Sequence, residues 1–310
     1  MESSGEPNAT TRVDEHDWLV ARFERDRPRL RAVAYRMLGS LSEADDAVQE
    51  TWLRLARSDA DGIENLGGWL TTAVARTCLN MLRSRTARRE EPLDPHVPDP
   101  VVDRDDEAGP EHHALLADSV GLALLVVLDT LTPAERLAFV LHDMFAVPFD
   151  EIAPIVGRSP AAARQLASRA RRQVRTAAPV PDPDPIRQRE VVDAFLAASR
   201  AGDFDALLAV LDPDVVVRAD FGAARAGASQ QLRGARSVAA KALTFSQLGG
   251  LIQPALVNGT AGVIVTLRGQ PFAIMGFTVH QDKIVEIDIL ADPDRLRQVM
   301  PSMAGKRTGG

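Results

Sequence analysis

The chain has a single cysteine, Cys78, so it forms no intrachain disulfide and no cysteine-built zinc site, and it suits a reducing compartment. No apolar run approaches the roughly 20 residues that cross a bilayer. The polar, acidic start predicts no signal peptide, and the expected location is the cytoplasm. Positive charge is also short overall: 36 Lys and Arg stand against 43 Asp and Glu, a net charge of −7. That sum argues weakly against a general nucleic-acid binder, but the distribution matters more. Two stretches, 66–89 and 152–181, contain arginines and no acid at all. With 45% hydrophobic and 25% charged residues, the 310-residue chain has the composition of a soluble globular protein of two or three small domains.

The second acid-free stretch lies in the most informative part of the chain, 131–175. Thr132, Pro133 and Glu135 form a helix-start signature, and Leu137, Val140 and Leu141 follow at burying spacing. A second helix is predicted from near Pro148 to Gly157, a residue suited to a left-handed helix end; Pro154 sits oddly inside it. Ser159 then caps and Pro160 opens a third helix. Ala163, Leu166, Ala167, Ala170 and Val174 fall on one stripe of it. Arg164, Gln165, Ser168, Arg171, Arg172 and Arg175 fall on the other, with Arg169 at the flank. A helix, a tight turn and a small-residue helix with a basic outer face make a helix-turn-helix, whose second helix enters the DNA major groove. A merely solvated face usually mixes both signs, and this one does not.

Upstream, a helix is expected from about Asp14, a second opening at Pro28 and ending at Gly39, and a third capped by Ser42 and running to about Arg57. The third carries Glu43, Asp46, Gln49 and Glu50 on one side, with Asp45 close by; alone, this is a solvated face or a helix-start charge preference. After a loop at 58–68, a long helix over about 66–89 holds Arg76, Arg83, Arg85, Arg88 and Arg89. Terminal arginines favour a helix dipole, but five unopposed ones exceed that need and point to a second nucleic-acid surface. Residues 90–111, with nine acids, one arginine and five prolines, read as an acidic tether that cannot fold alone.

Leu38-Gly-Ser-Leu-Ser-Glu-Ala-Asp-Asp-Ala-Val-Gln-Glu-Thr-Trp52 resembles region two of bacterial extracytoplasmic-function sigma factors of the sigma-70 type. Gly68-Trp-Leu-Thr-Thr, with Leu79-Asn-Met-Leu-Arg-Ser-Arg85, resembles that region's promoter-reading helix. Leu131-Thr-Pro-Ala-Glu-Arg136, with 155–169, is similar to region four. The resemblance implies a factor that binds RNA polymerase core, through the large-subunit clamp helices and the flap, and directs it to promoter DNA. Asp45, Asp46, Gln49, Glu50 and Trp52 would dock on the core. Asn65, Arg76, Asn80, Arg83 and Arg85 would engage the −10 element as single strand, where unpaired bases expose readable edges. Arg158, Ser159, Arg164, Gln165, Ser168, Arg169, Arg171 and Arg172 would serve the −35 element in the duplex. Arg164, Gln165 and Ser168 are expected nearest the base edges, and Arg171, Arg172 and Arg175 on phosphates.

Beyond a Pro-rich hinge the chain changes character. A helix over 186–200 and a short one after Gly202 precede strands at 215–219, 255–258, 260–268, 271–280 and 284–290, with Asn-Gly and Gln-Asp turns. This α+β pattern resembles a SnoaL-like, cone-shaped domain, which a subgroup of these sigma factors carries. Asp292-Pro-Asp-Arg-Leu296 is similar to that subgroup's Asn-Pro-Asp-Lys-Leu motif, and Asp220-Phe-Gly-Ala-Ala-Arg225 loosely resembles its Asp-Gly-Gly-Gly-Arg/Lys motif. The subgroup's Trp-Leu-Pro linker motif appears only as His96-Val-Pro98. The resemblance therefore implies an interdomain regulatory set: Asp220, Arg225, Asp292, Pro293, Asp294, Arg295 and Leu296. Glu286 and Asp288 share one strand face; with Asp220 and His280 they are candidates to line the cone cavity as an acid/base set.

The expected organisation is a multi-domain chain: a helical bundle at 14–90, a linker at 91–111, a helix-turn-helix domain at 112–178, a hinge at 179–185 and an α+β cone at 186–300. The expected function is promoter-specific initiation at −10 and −35 elements, with the cone acting in cis, no cofactor or metal and no enzymatic turnover. Alternatives are a helix-turn-helix regulator, or a sensor whose cone binds or converts a small molecule. The oligomeric state is open.

Overall fold

A computed structural model describes residues 9–58, 63–88, 96–103, 121–177, 179, 181–222 and 229–300. The first helix, α1 (Ala9–Leu38), is continuous, where the sequence predicts a break at Pro28. A helix-interior proline costs about 3 kcal/mol. Burial of Leu19 and Phe23 before it, and of Leu30, Val33, Met37 and Leu38 after it, offsets that, because each large apolar side chain contributes about 1.5–3 kcal/mol. Helix α2 (Leu41–Leu55) starts two residues earlier than expected, and its N-cap residue is Ser40 in place of Ser42. With α3 (Leu66–Arg88) it completes a three-helix bundle.

The next four helices are α4 (Leu122–Asp129), α5 (Pro133–Phe139), α6 (Phe149–Val156) and α7 (Pro160–Ala177). Thr132 and Glu135 form a reciprocal capping box at the start of α5, which runs on into one π-helical turn, Val140–Met144. Gly157 ends α6 in the left-handed conformation at φ 69°. Ser159 Oγ accepts from Ala162 N–H at 3.3 Å to cap α7.

The C-terminal half has α8 (Pro185–Ala201), α9 (Phe204–Val210), α10 (Ala235–Ser246) and α11 (Pro293–Val299) around one sheet. Its strands are β1 (Val102–Asp103), β2 (Leu211–Asp220), β3 (Gln230–Arg233), β4 (Leu251–Val257), β5 (Thr260–Leu267), β6 (Gln270–His280) and β7 (Lys283–Leu290), in the order β1-β4-β5-β6-β7-β2-β3. All pairs are antiparallel except β2–β7. This is the helical-plus-α+β architecture expected, with five elements not foreseen: β1, α4, β3, α10 and α11. The β4–β5, β5–β6 and β6–β7 hairpins turn on two residues with positive φ: Asn258-Gly259, Arg268-Gly269 and Gln281-Asp282. Turns of this kind match the natural twist of paired strands.

The sheet has two buried faces that belong to different cores. Val217, Val263, Phe277 and Ile287 join α8, α9 and α10 on the concave side. Ala255, Val257, Ile264, Ile274 and Leu290 join the core shared by α1–α7 on the convex side. Helix α4 seats there: a Cβ on Gly276 would lie 2.9 Å from Leu122 Cδ1.

Candidate nucleic-acid interfaces and the clasp between domains

On α3, Arg76, Asn80 and Arg83 are exposed at spacings of four and three residues, so they form one solvent stripe on an otherwise buried helix. Asn65 stands at the helix start, where its Oδ1 accepts from Gly68 N–H at 3.0 Å. Arg85 does not join the stripe. It is half-buried, with Nε on Glu43 Oε1 at 3.2 Å and Nη1 on the Leu38 carbonyl at 3.1 Å, which ties α3 to the α1–α2 corner.

Helix α2 presents Asp45, Asp46 and Gln49 to solvent. Asp45 accepts from Arg31 Nε at 2.6 Å, and Glu50 pairs with Arg54 one turn on at 3.0 Å. Trp52 is half-buried against Phe23, with ring centroids 5.0 Å apart, so most of its contribution is to packing.

Arg158 and Ser159 in the turn before α7, and Arg164, Gln165, Ser168, Arg169 and Arg172 on it, are exposed. The Arg164 guanidinium lies 5.2 Å from the Phe149 ring centroid. The stretch is acid-free in sequence but not in space. Arg169 Nε donates to Glu135 Oε1 at 2.7 Å, and Arg171 Nε to Asp143 Oδ1 at 2.8 Å. Both acids come from α5 and the π-helical turn that continues it, where a reading along one helix does not find them. Hydrogen bonds from Thr132 and Arg169 hold the Glu135 carboxyl below its ordinary range, although burial pushes the other way.

The helical domains also touch each other. Helix α3 packs against α5 and α6. Arg136 is buried, its Nε donating to the Arg36 carbonyl at 3.1 Å while Nη1 reaches Asp129. Burial moves the Cys78 thiol up to about 12, against the opposing pull of the Arg136 charge. Cys78 is therefore a packing residue rather than a reactive thiol.

The described part of the linker, 96–103, is no solvated tether: residues 97–101 are buried. Asp99 Oδ2 accepts from Leu41 N–H at 2.9 Å, so the linker caps α2. The Asp99 carbonyl accepts from Tyr35 Oη at 2.6 Å, and Asn258 Nδ2 donates to the same hydroxyl at 2.9 Å. Asn258 Oδ1 in turn accepts from Val101 N–H at 2.9 Å. Residue 35 of the bundle, residue 101 of the linker and residue 258 of the sheet thus share one buried chain of hydrogen bonds.

Arg295 closes this clasp. Its Nε reaches Asp99 at 2.7 Å, Nη1 reaches Asp220 Oδ2 at 2.8 Å and Nη2 reaches the Val97 carbonyl at 2.6 Å. Burial pushes the Asp220 carboxyl up, but hydrogen bonds from His96, Val97 N–H and Gly222 N–H, with the Arg295 charge, bring it down to about 2. The stability this contributes is present above 3.8 and is lost only as pH falls toward 2. Asp292 caps α11 through Asp294 N–H at 2.8 Å, behind Pro293 in the first turn, and Leu296 is buried in the helical core. The Asp292 carboxylate occupies the space that a Cβ on Gly222 would need, which fixes glycine there. Asp294 is exposed and pairs with Arg297. Arg225 lies outside the described residues.

The proposed acid/base set is not in the cavity. Ile287 and Ile289 line it, so Glu286 and Asp288 face the convex side. There Arg218 holds both, Nη2 on Glu286 at 2.8 Å and Nη1 on Asp288 at 3.0 Å. Neither Asp220 nor His280 lines the cavity either. Sequence reasoning missed Tyr35, Asp99, Arg136, Arg218 and Asn258; the one signal available was an arginine or asparagine inside an apolar stretch. Among the described residues no cluster of His, Cys, Asp and Glu is placed to hold a metal ion, and no helix is long and apolar enough to cross a membrane.

Sigma-70 region 2 matches residues 22–88 and Sigma-70, region 4 matches residues 121–174. The ECF RNA polymerase sigma factor SigJ of Mycobacterium tuberculosis is 40% identical over 291 residues, 89% of this chain and 92% of that protein. The probable ECF RNA polymerase sigma factor SigI of the same species is 34% identical, covering 94% of this chain and 100% of that one. The crystal structure of SigJ superposes with a TM-score of 0.73 at 36% identity, over 89% of this chain and 98% of SigJ.

Proposed function

The chain belongs to the extracytoplasmic-function sigma factors, which direct promoter-specific initiation by RNA polymerase, and from that premise we propose that it rests in a closed state held by its own C-terminal domain. The observation that carries this is the packing of α3 on α6, which itself packs on α7. Neighbouring helix axes lie about 8–10 Å apart, so the −10 and −35 helices sit within roughly 20 Å of each other. The two promoter elements are centred about 25 base pairs apart, or about 85 Å at 3.4 Å per pair. Both cannot be engaged until the helical domains part. The cone, clasped to the linker and seated on α4, opposes that parting.

In the open state Arg76, Asn80 and Arg83, with Asn65 at the loop, meet the single-stranded −10 element, and Arg85 sets the angle of their helix. Arg158, Ser159, Arg164, Gln165 and Ser168 read the −35 duplex, while Arg169, Arg171 and Arg172 serve phosphates once Glu135 and Asp143 release the first two. Asp45, Asp46, Gln49 and Glu50 dock on the polymerase clamp helices, with Trp52 bracing them from behind; region four meets the flap. The protein works in the cytoplasm without turnover of its own.

Run-off transcription with core polymerase tests the reading, comparing the full chain with Arg295→Ala and with chains ending at Leu290 and Ala178. The expected outcome is higher output from every altered chain. Equal or lower output from all three would overturn the restraint; failure of all four to bind core would overturn the docking assignment.

A further inference from the structure

The concave side of the cone encloses a cavity of about 650 Å³, within the range of small-molecule sites. Its walls are apolar: Phe195, Val217, Phe272, Met275, Ile287 and Ile289 contribute. At its mouth Phe245, Leu248 and Leu251 are 41%, 53% and 63% exposed, a cluster of solvent-facing apolar groups of the kind that marks binding surfaces. The described lining includes two cations, Arg200 and Lys241, and no carboxylate or imidazole. The Lys241 ammonium lies 5.3 Å from the Phe245 ring centroid.

We propose that this cavity binds an apolar organic acid, its body among the aliphatic and aromatic walls and its anionic head at Lys241 and Arg200, and that occupancy holds the clasp shut. The second half rests on the closed-state reading above. Phe221 and Ala291 belong to the cavity wall, and their chain neighbours Asp220 and Asp292 belong to the clasp. Ala291 N–H donates to the Asp220 carbonyl at 2.7 Å, which joins the two wall segments beside the clasp. The cavity is complete while the clasp is closed. A ligand that fits it in this shape binds the closed state better than the open one, and that difference in affinity is what shifts the balance.

The test uses the full chain, with 1-anilinonaphthalene-8-sulfonate as fluorescent probe and palmitate or hexadecanol as competitor. The site predicts that palmitate displaces the probe at least tenfold more effectively than the alcohol. Lys241→Gln with Arg200→Gln removes that preference, and Ile287→Trp, which fills the cavity, removes both competitors' binding. Coupling between two sites is reciprocal and typically 5- to 150-fold, so Arg295→Ala weakens palmitate at least fivefold. No displacement in the intact chain, or equal displacement by acid and alcohol, overturns the site. Unchanged palmitate affinity in Arg295→Ala overturns the coupling alone. If Arg295→Ala weakens palmitate but leaves run-off output unchanged, the restraint on transcription fails while the site stands.

Discussion

The two faces of the cone's sheet are built from alternate residues of the same strands, yet they do different work. The concave face is aliphatic and aromatic and lines the cavity; the convex face is apolar across β4, β5 and β6, where the helical domains close over it, and ionic where β7 meets β2. On the first face a substitution changes the volume of a cavity. On the second it changes a contact between domains or the pairing of buried charge. The same strand is therefore tolerant on one side and exacting on the other.

The largest expected effect comes from the ionic group on the convex face. Arg218→Met leaves Glu286 and Asp288 buried without their cation, and removing one member of a buried ion pair costs about 3–5 kcal/mol. Thermal unfolding should show it as a marked drop in melting temperature; a neutral result would mean that the two acids are hydrated and the faces alike. Next is Asn258→Ala, which strands Val101 N–H and removes the amide donor to the Tyr35 hydroxyl, at about 1–3 kcal/mol. Because Asn258 joins bundle, linker and sheet, small-angle scattering should also report a larger radius for this variant. On the concave face Ile287→Val should cost only about 0.5–1.5 kcal/mol, with no change in radius.

A further effect separates the faces by pH. Burial pushes the Asp288 carboxyl up to about 6, the Arg218 charge opposing and the Glu286 charge assisting. The folded chain then holds a proton that the unfolded chain gives up at 3.8. This group favours the folded state at low pH, and its contribution is lost as pH rises from about 4 to about 6. Denaturant melts at pH 4 and pH 6 should show that slope in the native chain, reduced in Asp288→Asn. Ile287→Val should shift both melts equally, since no carboxylate is among the described residues lining its cavity.

What could be read from the sequence was local. Thr132 with Glu135, Gly157 and Ser159 with Pro160 specify the helix-turn-helix within a few residues, and the structure has each cap where the spacing puts it. The alternation of Glu286 and Asp288 correctly puts both on one face, but period two does not say which face. The answer depends on Arg218, which reaches them from a strand about 70 residues earlier. Pro28 reads as a helix start because its local cost is plain and the burial that outweighs it is not. The linker is the largest miss. Its composition cannot sustain a fold alone, and what orders it is Asp220, Asn258 and Arg295, residues with no sequence proximity to announce them.

The clasp joins Asp99 to Arg295, 196 residues further on. At a synthesis rate of about 5–20 residues per second, roughly 10–40 seconds separate the emergence of its two halves. Over the last 118 of those residues, from Ala177 to Arg295, roughly 6–24 seconds at the same rate, both helical domains have left the ribosome and the part that closes them has not. On the closed-state reading, each molecule is thus born competent and disarmed by its own α11. On that reading, the length of the restraining domain acts as a timer on every newly made copy.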